Sequence, residues 1–207
     1  SALSDGKIKL NCKVCQLVKL FKNGQPYKMS KRAGDFISAQ DLLKEVEKDQ
    51  IRFMMLNRSN DVELDFDFNK VKEKTKDNPV FYVQYANARI NSLLRAINLS
   101  LFNQIELNES SINFNDMELK IIRKVFEWPK IIESTSRKFD LHKIPFYLYE
   151  LSTLFHAYWS KGNEDKDYKF IINEKIARKE ILLIINLVAI VIRNGMGILG
   201  VSLPEKM

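Results

Sequence analysis

The sequence predicts a mainly α-helical protein in which a helical bundle follows a short β-hairpin. From Asn78 onward, apolar residues recur every three or four positions, which is typical of helices with one buried face. Before that point, apolar and polar residues alternate from Ile8 to Val14, and the pair Asn23-Gly24 is a strong hairpin signal. Hydrophobic residues make up 45% of the 207 positions, so the chain can bury a substantial core.

The chain is basic, with a formal net charge of +7 and a sequence pI of about 9.3. This balance favours an anionic partner, although the excess of lysine over arginine can also reflect coding bias. Cys12 and Cys15 form a single C-x-x-C, which supplies neither a disulfide framework nor the second ligand pair of a structural zinc site. We expect the two thiols on opposite faces of a strand, and reduced thiols fit a cytoplasmic protein.

The longest apolar run, from Ile181 to Ile192, is interrupted by Asn186. It is shorter than the roughly 20 residues needed to span a bilayer, so it predicts a helix buried on most sides. The start of the chain lacks the pattern of a signal peptide. We therefore expect no membrane association.

The first predicted element is a strand from Ile8 to Phe21, turned back at Asn23-Gly24. Pro26 limits the returning strand to an edge or a short piece. The stretch Lys28-Met29-Ser30-Lys31 follows, where two lysines flank a small hydroxyl. A flexible loop with two ammonium groups can clamp a polyphosphate. From spacing alone, a solvated turn is the more common explanation.

Two short helices are predicted next. Ser38 and Asp41 have the spacing of a capping box at the start of the first. The second runs from Asp49 to Asn57 and should bury Ile51, Met54 and Met55. The segment from Asp61 to Phe68 alternates acidic and apolar residues, and we interpret it as an extended linker that leads into a helix at Asn69. We place a domain boundary there, between residues 1–68 and 69–207.

The helix that starts at Asn78-Pro79 carries two stripes. One is apolar and predicts a core face; it consists of Val83, Ala86, Ile90, Leu93 and Ile97. The other consists of Tyr82, Tyr85 and Arg89, which could stack on unpaired bases and hold a phosphate. Alternatively, the tyrosines lie at the edge of the core and Arg89 pairs with a carboxylate.

The remaining helices follow an asparagine-rich connection. They are predicted from Asp116, over Lys130–Lys138, over Leu141–Trp159 and over Glu174–Met196. Phe155 and Trp159 share one face of the long aromatic helix. Gly195 and Gly197 should end the last helix, and residues 201–207 by themselves would be expected to be disordered.

The stretch Lys28–Arg32 resembles the KMSKS signature of class I aminoacyl-tRNA synthetases, and the form Lys-Met-Ser-Lys-Arg-Ala-Gly resembles arginyl-tRNA synthetases. Other segments resemble the same family in the same order. They are Asp49–Phe53, Leu64–Asp67, Asn78–Arg89, Leu199–Val201 and Pro204–Met207. The resemblance covers essentially all 207 residues, but only the C-terminal portion of such an enzyme.

The resemblance implies a division of roles. Residues 1–68 would be the last piece of a Rossmann-type catalytic domain, with the KMSK loop and stem-contact helices, and residues 69–207 a helical class I anticodon-binding domain. Lys28 and Lys31 would meet the triphosphate of ATP, which Mg²⁺ would accompany, and Met29 and Ser30 would shape the loop. The anticodon loop of an arginine tRNA would contact Tyr82, Tyr85, Arg89, Phe155, Trp159 and Met207.

The implied function is a part of arginine–tRNA ligase, a cytoplasmic and monomeric enzyme that attaches arginine to its tRNA at the expense of ATP. The class I His-x-Gly-His element is absent from the sequence, so we expect these residues to need the N-terminal catalytic half and not to aminoacylate alone. The alternative is a non-catalytic helical RNA-binding module. Another class I synthetase is disfavoured by Tyr82–Arg89 and the terminal Met207.

Overall fold

The structure is a computed structural model that describes residues 5–8, 10–27, 37–101 and 112–207. It is mainly helical, as predicted, with a small sheet near the start of the chain. Hydrophobic side chains form two cores, a small one around the sheet and a large one inside the helical bundle.

The small sheet contains β1 (Val18–Lys22), β2 (Gln25–Pro26) and β3 (Leu64–Asp67), in the order β2-β1-β3. The first two strands are antiparallel, and Asn23 and Gly24 both take positive φ angles in the turn between them. The predicted hairpin is therefore confirmed. The interpretation of residues 61–68 as a linker is wrong, because β3 pairs in parallel with β1 over its whole length.

The first strand is shorter than predicted, because regular pairing begins at Val18 and not at Ile8. The apolar side chains that precede it are exposed; they are Ile8, Leu10, Val14 and Leu17. Cys12 and Cys15 are exposed free thiols in this irregular segment. No group of His, Cys, Asp and Glu suited to a metal occurs within the described part of the chain.

Two short helices cover the sheet, α1 (Ala39–Glu45) and α2 (Lys48–Leu56). The capping box is confirmed, because the Asp41 amide donates to Ser38 Oγ at 3.1 Å and the Ser38 amide donates to Asp41 Oδ2 at 3.2 Å. The fully buried residue of α2 is Phe53, which joins the large core. The three residues predicted as buried there are only half-buried, against the small core; they are Ile51, Met54 and Met55.

The last residue of the small core is Val71, which lies in a single 3-10 turn, and from Val80 onward the buried side chains belong to the large core, which Phe53 of α2 also joins. The predicted helix at Asn69 is thus only this short turn. The boundary that we placed between residues 68 and 69 falls close to this change of core, and it stays a prediction.

The bundle is built on α3 (Pro79–Ala96) and α6 (Lys143–Glu164), which pack against each other. The apolar stripe predicted for α3 is buried as far as Leu93. The helices packed around this pair are α4 (Asp116–Phe126), α5 (Trp128–Lys138) and α7 (Lys179–Leu199).

Between α6 and α7 lies a small hairpin, β4 (Ile171–Ile172) and β5 (Lys175–Ile176), that the sequence did not predict. Asn173 and Glu174 take positive φ in its turn, and the last helix consequently starts at Lys179 and not at Glu174. The helix also continues through both glycines that were expected to end it, and it stops before Gly200, whose φ is +66°.

Gly195 has a packing role. A Cβ atom at this position would lie 2.7 Å from Leu148 Cδ2, and since a side chain there would overlap buried atoms, the glycine lets α7 approach α6 closely. A helix-internal glycine at a tight crossing gives the same sequence signal as a helix end.

By length and composition, α7 could cross a membrane, since the whole helix has 21 residues. The apolar run from Ile181 to Ile192 is by itself shorter than a membrane span. Within the fold, however, 61% of its most apolar window is buried, and the Asn186 side chain in its middle donates to the Leu182 carbonyl at 2.8 Å. The helix is packed as the core element of the bundle, as predicted.

Candidate nucleic-acid interface

The polar stripe of α3 faces the aromatic face of α6. Arg89 lies between two rings, with Cζ 4.3 Å from the centre of the Tyr85 ring and 5.4 Å from the centre of the Trp159 ring. Cation–π attraction of this kind holds a guanidinium without removing its charge. Tyr85, Arg89 and Trp159 are all half-buried, so each is packed on one side and accessible on another.

His156 fixes the orientation of this arginine. One ring nitrogen, Nε2, lies 3.0 Å from the Tyr82 carbonyl oxygen, and the other, Nδ1, lies 3.0 Å from Arg89 Nη1. The carbonyl can only accept and the guanidinium can only donate, so the imidazole is neutral with its proton on Nε2. Burial, together with the charge of Arg89, lowers the pKa of His156 to about 4.

We expect the stability of the protein to fall as the pH is lowered from 6.5 towards 4. The pKa of His156 is depressed in the folded state from an ordinary value of 6.5, so its stabilising contribution is complete above pH 6.5 and is lost below it. The expected loss is at most about 3 kcal/mol. Urea denaturation across this pH range measures it, and His156→Gln should remove much of the slope.

The protonation of His156 can also be followed by NMR, because the chain has two histidines whose signals can be told apart by substitution. The imidazole signal that disappears in His156→Gln should titrate near pH 4. A midpoint near 6.5 would contradict the buried, neutral ring.

An open groove of about 480 Å³ runs beside this cluster and includes the C-terminal residues. It is lined by Tyr85, Ala88, Arg89, Ser92, Arg95, Trp159, Lys206 and Met207. Within the described residues, neither Arg89 nor Arg95 forms an ion pair with a carboxylate. The carboxylate alternative for Arg89 therefore finds no support in the described contacts, and the groove is cationic with aromatic walls.

The end of the chain reaches the groove because α3 binds its backbone. The Gln84 side chain donates to the Ser202 carbonyl at 3.0 Å, Asn87 donates to the Pro204 carbonyl at 2.9 Å, and Arg95 donates to the Glu205 carbonyl at 3.3 Å. Residues 201–207, hereafter the C-terminal tail, thus take a defined path. Composition alone predicted disorder for them, whereas the resemblance implied that Met207 lies at the anticodon loop.

The structure brings Tyr85, Arg89, Trp159 and Met207 to one groove. Tyr82 lies next to it, between His156 and Tyr149, at ring distances of 4.3 and 5.4 Å. The prediction that Phe155 contacts the anticodon loop is wrong. Its ring is completely buried because it packs under Trp159 and against Phe170, so it cannot contact a ligand directly.

Sequence reasoning missed Arg95, His156 and Lys206. Arg95 could have been found, since the spacing that joins Tyr85 to Arg89 continues through Ser92 to Arg95. His156 gave no local signal, because its partners are on another helix. Lys28, Met29, Ser30 and Lys31 lie outside the described residues.

The fold and the groove define the class of this chain. A family model described as the DALR anticodon binding domain matches residues 83–207, and the chain belongs to this family. Its curated relatives include proteins named arginine–tRNA ligase. The relative from Pelagibacter ubique is 52% identical over 206 residues, and the one from Brucella canis 44% over 212 residues. The match covers 100% of this chain and 36% of each relative.

Solved structures agree. A Campylobacter jejuni protein assigned as an arginyl-tRNA synthetase superposes with a TM-score of 0.78 and 28% identity, over 93% of this chain and 40% of that one. The Thermus thermophilus arginyl-tRNA synthetase superposes with a TM-score of 0.64 over 93% of this chain and 35% of that one; at 20% identity it supports the fold alone. The resemblance to the C-terminal region of arginyl-tRNA synthetases is confirmed.

Proposed function

We propose that the groove between α3, α6 and the C-terminal tail binds the anticodon loop of an arginine tRNA, as the anticodon-binding part of an arginine–tRNA ligase. The observation that carries this proposal is the placement of Arg89 between the rings of Tyr85 and Trp159. The family match and the arginine–tRNA ligase names of the relatives support the same assignment.

The chemistry of the groove suits an unpaired RNA loop. Bases that are splayed out of a loop stack on aromatic rings and on guanidinium planes, and Tyr85, Arg89 and Trp159 offer both. Phosphates need cations, which Arg89 and Arg95 provide at the groove. The net charge of +7 adds a general attraction for RNA.

We further propose that Lys28 and Lys31 clamp the triphosphate of ATP, with Mg²⁺, in the complete enzyme. Two ammonium groups, three residues apart in the sequence, can neutralise the charge that develops on the phosphates. The support is the lysine spacing and the identity of the relatives.

The exposed apolar side chains before β1 suggest where the rest of such an enzyme would pack. Four of these side chains are between 68% and 81% exposed; they are Ile8, Leu10, Val14 and Leu17. Contiguous exposed apolar surface marks an interaction site in many proteins. Since the chain spans only 36% of the length of its relatives, we propose that the N-terminal catalytic half covers this row.

The tRNA proposal is tested by titrating the 207-residue chain with an arginine tRNA transcript at several KCl concentrations. Affinity should fall as salt rises, because phosphate contacts release counterions. Arg89→Gln should lower the slope of log K against log [KCl] by about one. Arg89→Lys should keep the slope but weaken binding, because an ammonium does not stack between two rings.

Arg137→Gln is the matched control, since it removes the same charge from α5, outside the groove. Equal effects of Arg89→Gln and Arg137→Gln would indicate a nonspecific charge effect. Unchanged binding in all three variants would place the RNA on another face.

A further inference from the structure

We propose that Asp49 and Arg52 of α2 are positioning residues for RNA binding, because they anchor the C-terminal tail so that Lys206 and Met207 line the groove. The inference rests on the proposed anticodon function. Neither residue lines the groove itself, so both would act through the tail.

Asp49 holds the first part of the tail. Its Oδ2 atom accepts a hydrogen bond from the Ser202 backbone amide at 3.1 Å and a second, short one from the Ser202 hydroxyl. Hydrogen bonds to an ionised carboxylate are about twice as strong as those between neutral groups. They join residues that are 153 positions apart in the chain, so they fix the tail to the α2 region and not merely to its own helix.

Arg52 holds the point at which α7 ends. Its Nε atom donates to the Leu199 carbonyl, one of the last carbonyls of the helix. A guanidinium is also favourable at the negative end of a helix dipole. A Cβ atom at Gly200 would lie only 2.8 Å from Arg52 Nε, so glycine permits this approach as well as the positive φ of the turn.

These contacts fix the first residues of the tail, and side chains of α3 bind the residues that follow. Asp49 and Arg52 fix residues 199–202, and α3 side chains then bind the carbonyls of Ser202, Pro204 and Glu205. The bonds from Gln84 and Asn87 are between neutral groups and are each worth about 1 kcal/mol, whereas the Arg95 bond is charge-assisted, like those of Asp49 and Arg52. Val201 and Leu203 also pack against the large core, and the charged anchor on α2 adds the contacts that fix where the tail begins.

The sequence pattern of α2 fits this role. Asp49 and Arg52 are three residues apart, so they lie on one helix face. Ile51, which lies between them in the sequence, packs against the small core instead.

The test is a double-mutant cycle on tRNA affinity in the full chain. Asp49→Ala should weaken binding of an arginine tRNA about tenfold, as expected for the loss of a charged anchor. The tail variant Lys206→Ala/Met207→Ala should also weaken binding. Combining the two should cost little more than the tail variant alone, because Asp49 acts through the tail. Gln50→Ala is the control on the same helix, with full affinity expected.

Hydrogen exchange of the free protein gives a readout that needs no RNA. Amides of residues 201–203 and of Glu205 should exchange faster in Asp49→Ala and in Ser202→Ala, which removes one of the two bonds from the tail side, but not in Gln50→Ala. Unchanged exchange in both variants, or additive losses of affinity in the cycle, would overturn the inference. Absence of tRNA binding by the unmodified chain would instead refute the proposed function, and the exchange experiment would still decide the anchoring.

Discussion

Arg178→Met should lower the free energy of unfolding by about 3–5 kcal/mol, because it leaves a buried carboxylate without its cation. Glu118 is completely buried at the start of α4, and its Oε1 atom forms an ion pair with Arg178 Nη2. Removal of one partner from a buried pair costs much more than the pair itself contributes. Urea denaturation at pH 7 measures the loss.

The pair is part of a network that joins three elements. Tyr158 of α6 donates its hydroxyl proton to Glu118 Oε1 at 2.5 Å, and the Asn115 amide donates to Glu118 Oε2 at 2.9 Å. Burial and the neighbouring carboxylate raise the pKa of Tyr158, so the phenol remains a donor at neutral pH. Arg178 also donates to the Asn113 carbonyl at 3.1 Å, so its loss removes one of the contacts that hold the segment ahead of α4.

Arg137→Met is the matched control. The same substitution there breaks an ion pair with Glu133 that has a similar contact distance, 2.6 Å, but whose side chains are 76% and 59% exposed. Exposed pairs contribute only about 0–1 kcal/mol. If both variants lost the same stability, burial of Glu118 would not be the reason for the effect.

Local signals in the sequence predicted local structure well. Asn78-Pro79 marks the start of α3, Ser38 and Asp41 form the expected capping box, and Asn23-Gly24 forms the expected turn. Each of these depends on residues a few positions apart, whose preferences are set by backbone geometry and nearby hydrogen bonds. The polar stripe of α3 was also predicted from a local spacing. Tyr85 and Arg89 line the candidate site, and Tyr82 lies next to it.

The errors depend on contacts between distant parts of the chain. The alternation of apolar and acidic residues in β3 is itself a strand signal, but its partner β1 lies far away in the sequence, so the segment was interpreted as a linker. Gly195 lies inside α7 because Leu148 of another helix packs against it. His156 matters because Tyr82 and Arg89 are opposite it. In each case the partner is set by tertiary packing, which overrides the local preference.

Substitutions of Phe155 and Trp159 on α6 should distinguish effects on folding from effects on tRNA binding. Phe155→Ala should lower the free energy of unfolding by about 3–5 kcal/mol, as expected for removal of a large core side chain. Its ring is fully buried, at 6.0 Å from the Phe170 ring and 6.1 Å from the Trp159 ring. The folded fraction of the variant should nevertheless bind tRNA with nearly normal affinity, because Phe155 does not reach the groove.

Trp159→Ala should have the opposite profile. The ring is half-buried and forms one wall of the groove, so its removal should cost about 1–3 kcal/mol of tRNA binding if a base stacks on it. It should cost less stability than Phe155→Ala, since part of the ring is already in water. Trp159→Phe should restore much of the binding, because a flat ring remains.

The two variants are compared by urea denaturation and by tRNA titration under conditions in which both are folded; Phe155→Leu replaces Phe155→Ala if the latter is too unstable. The proposal requires the order of effects to reverse between the two measurements. If Trp159→Ala changed stability alone, the indole would be a core residue like Phe155. Arg89 would then face RNA across a groove with a single stacking wall, and the cationic residues would have to account for the binding by charge.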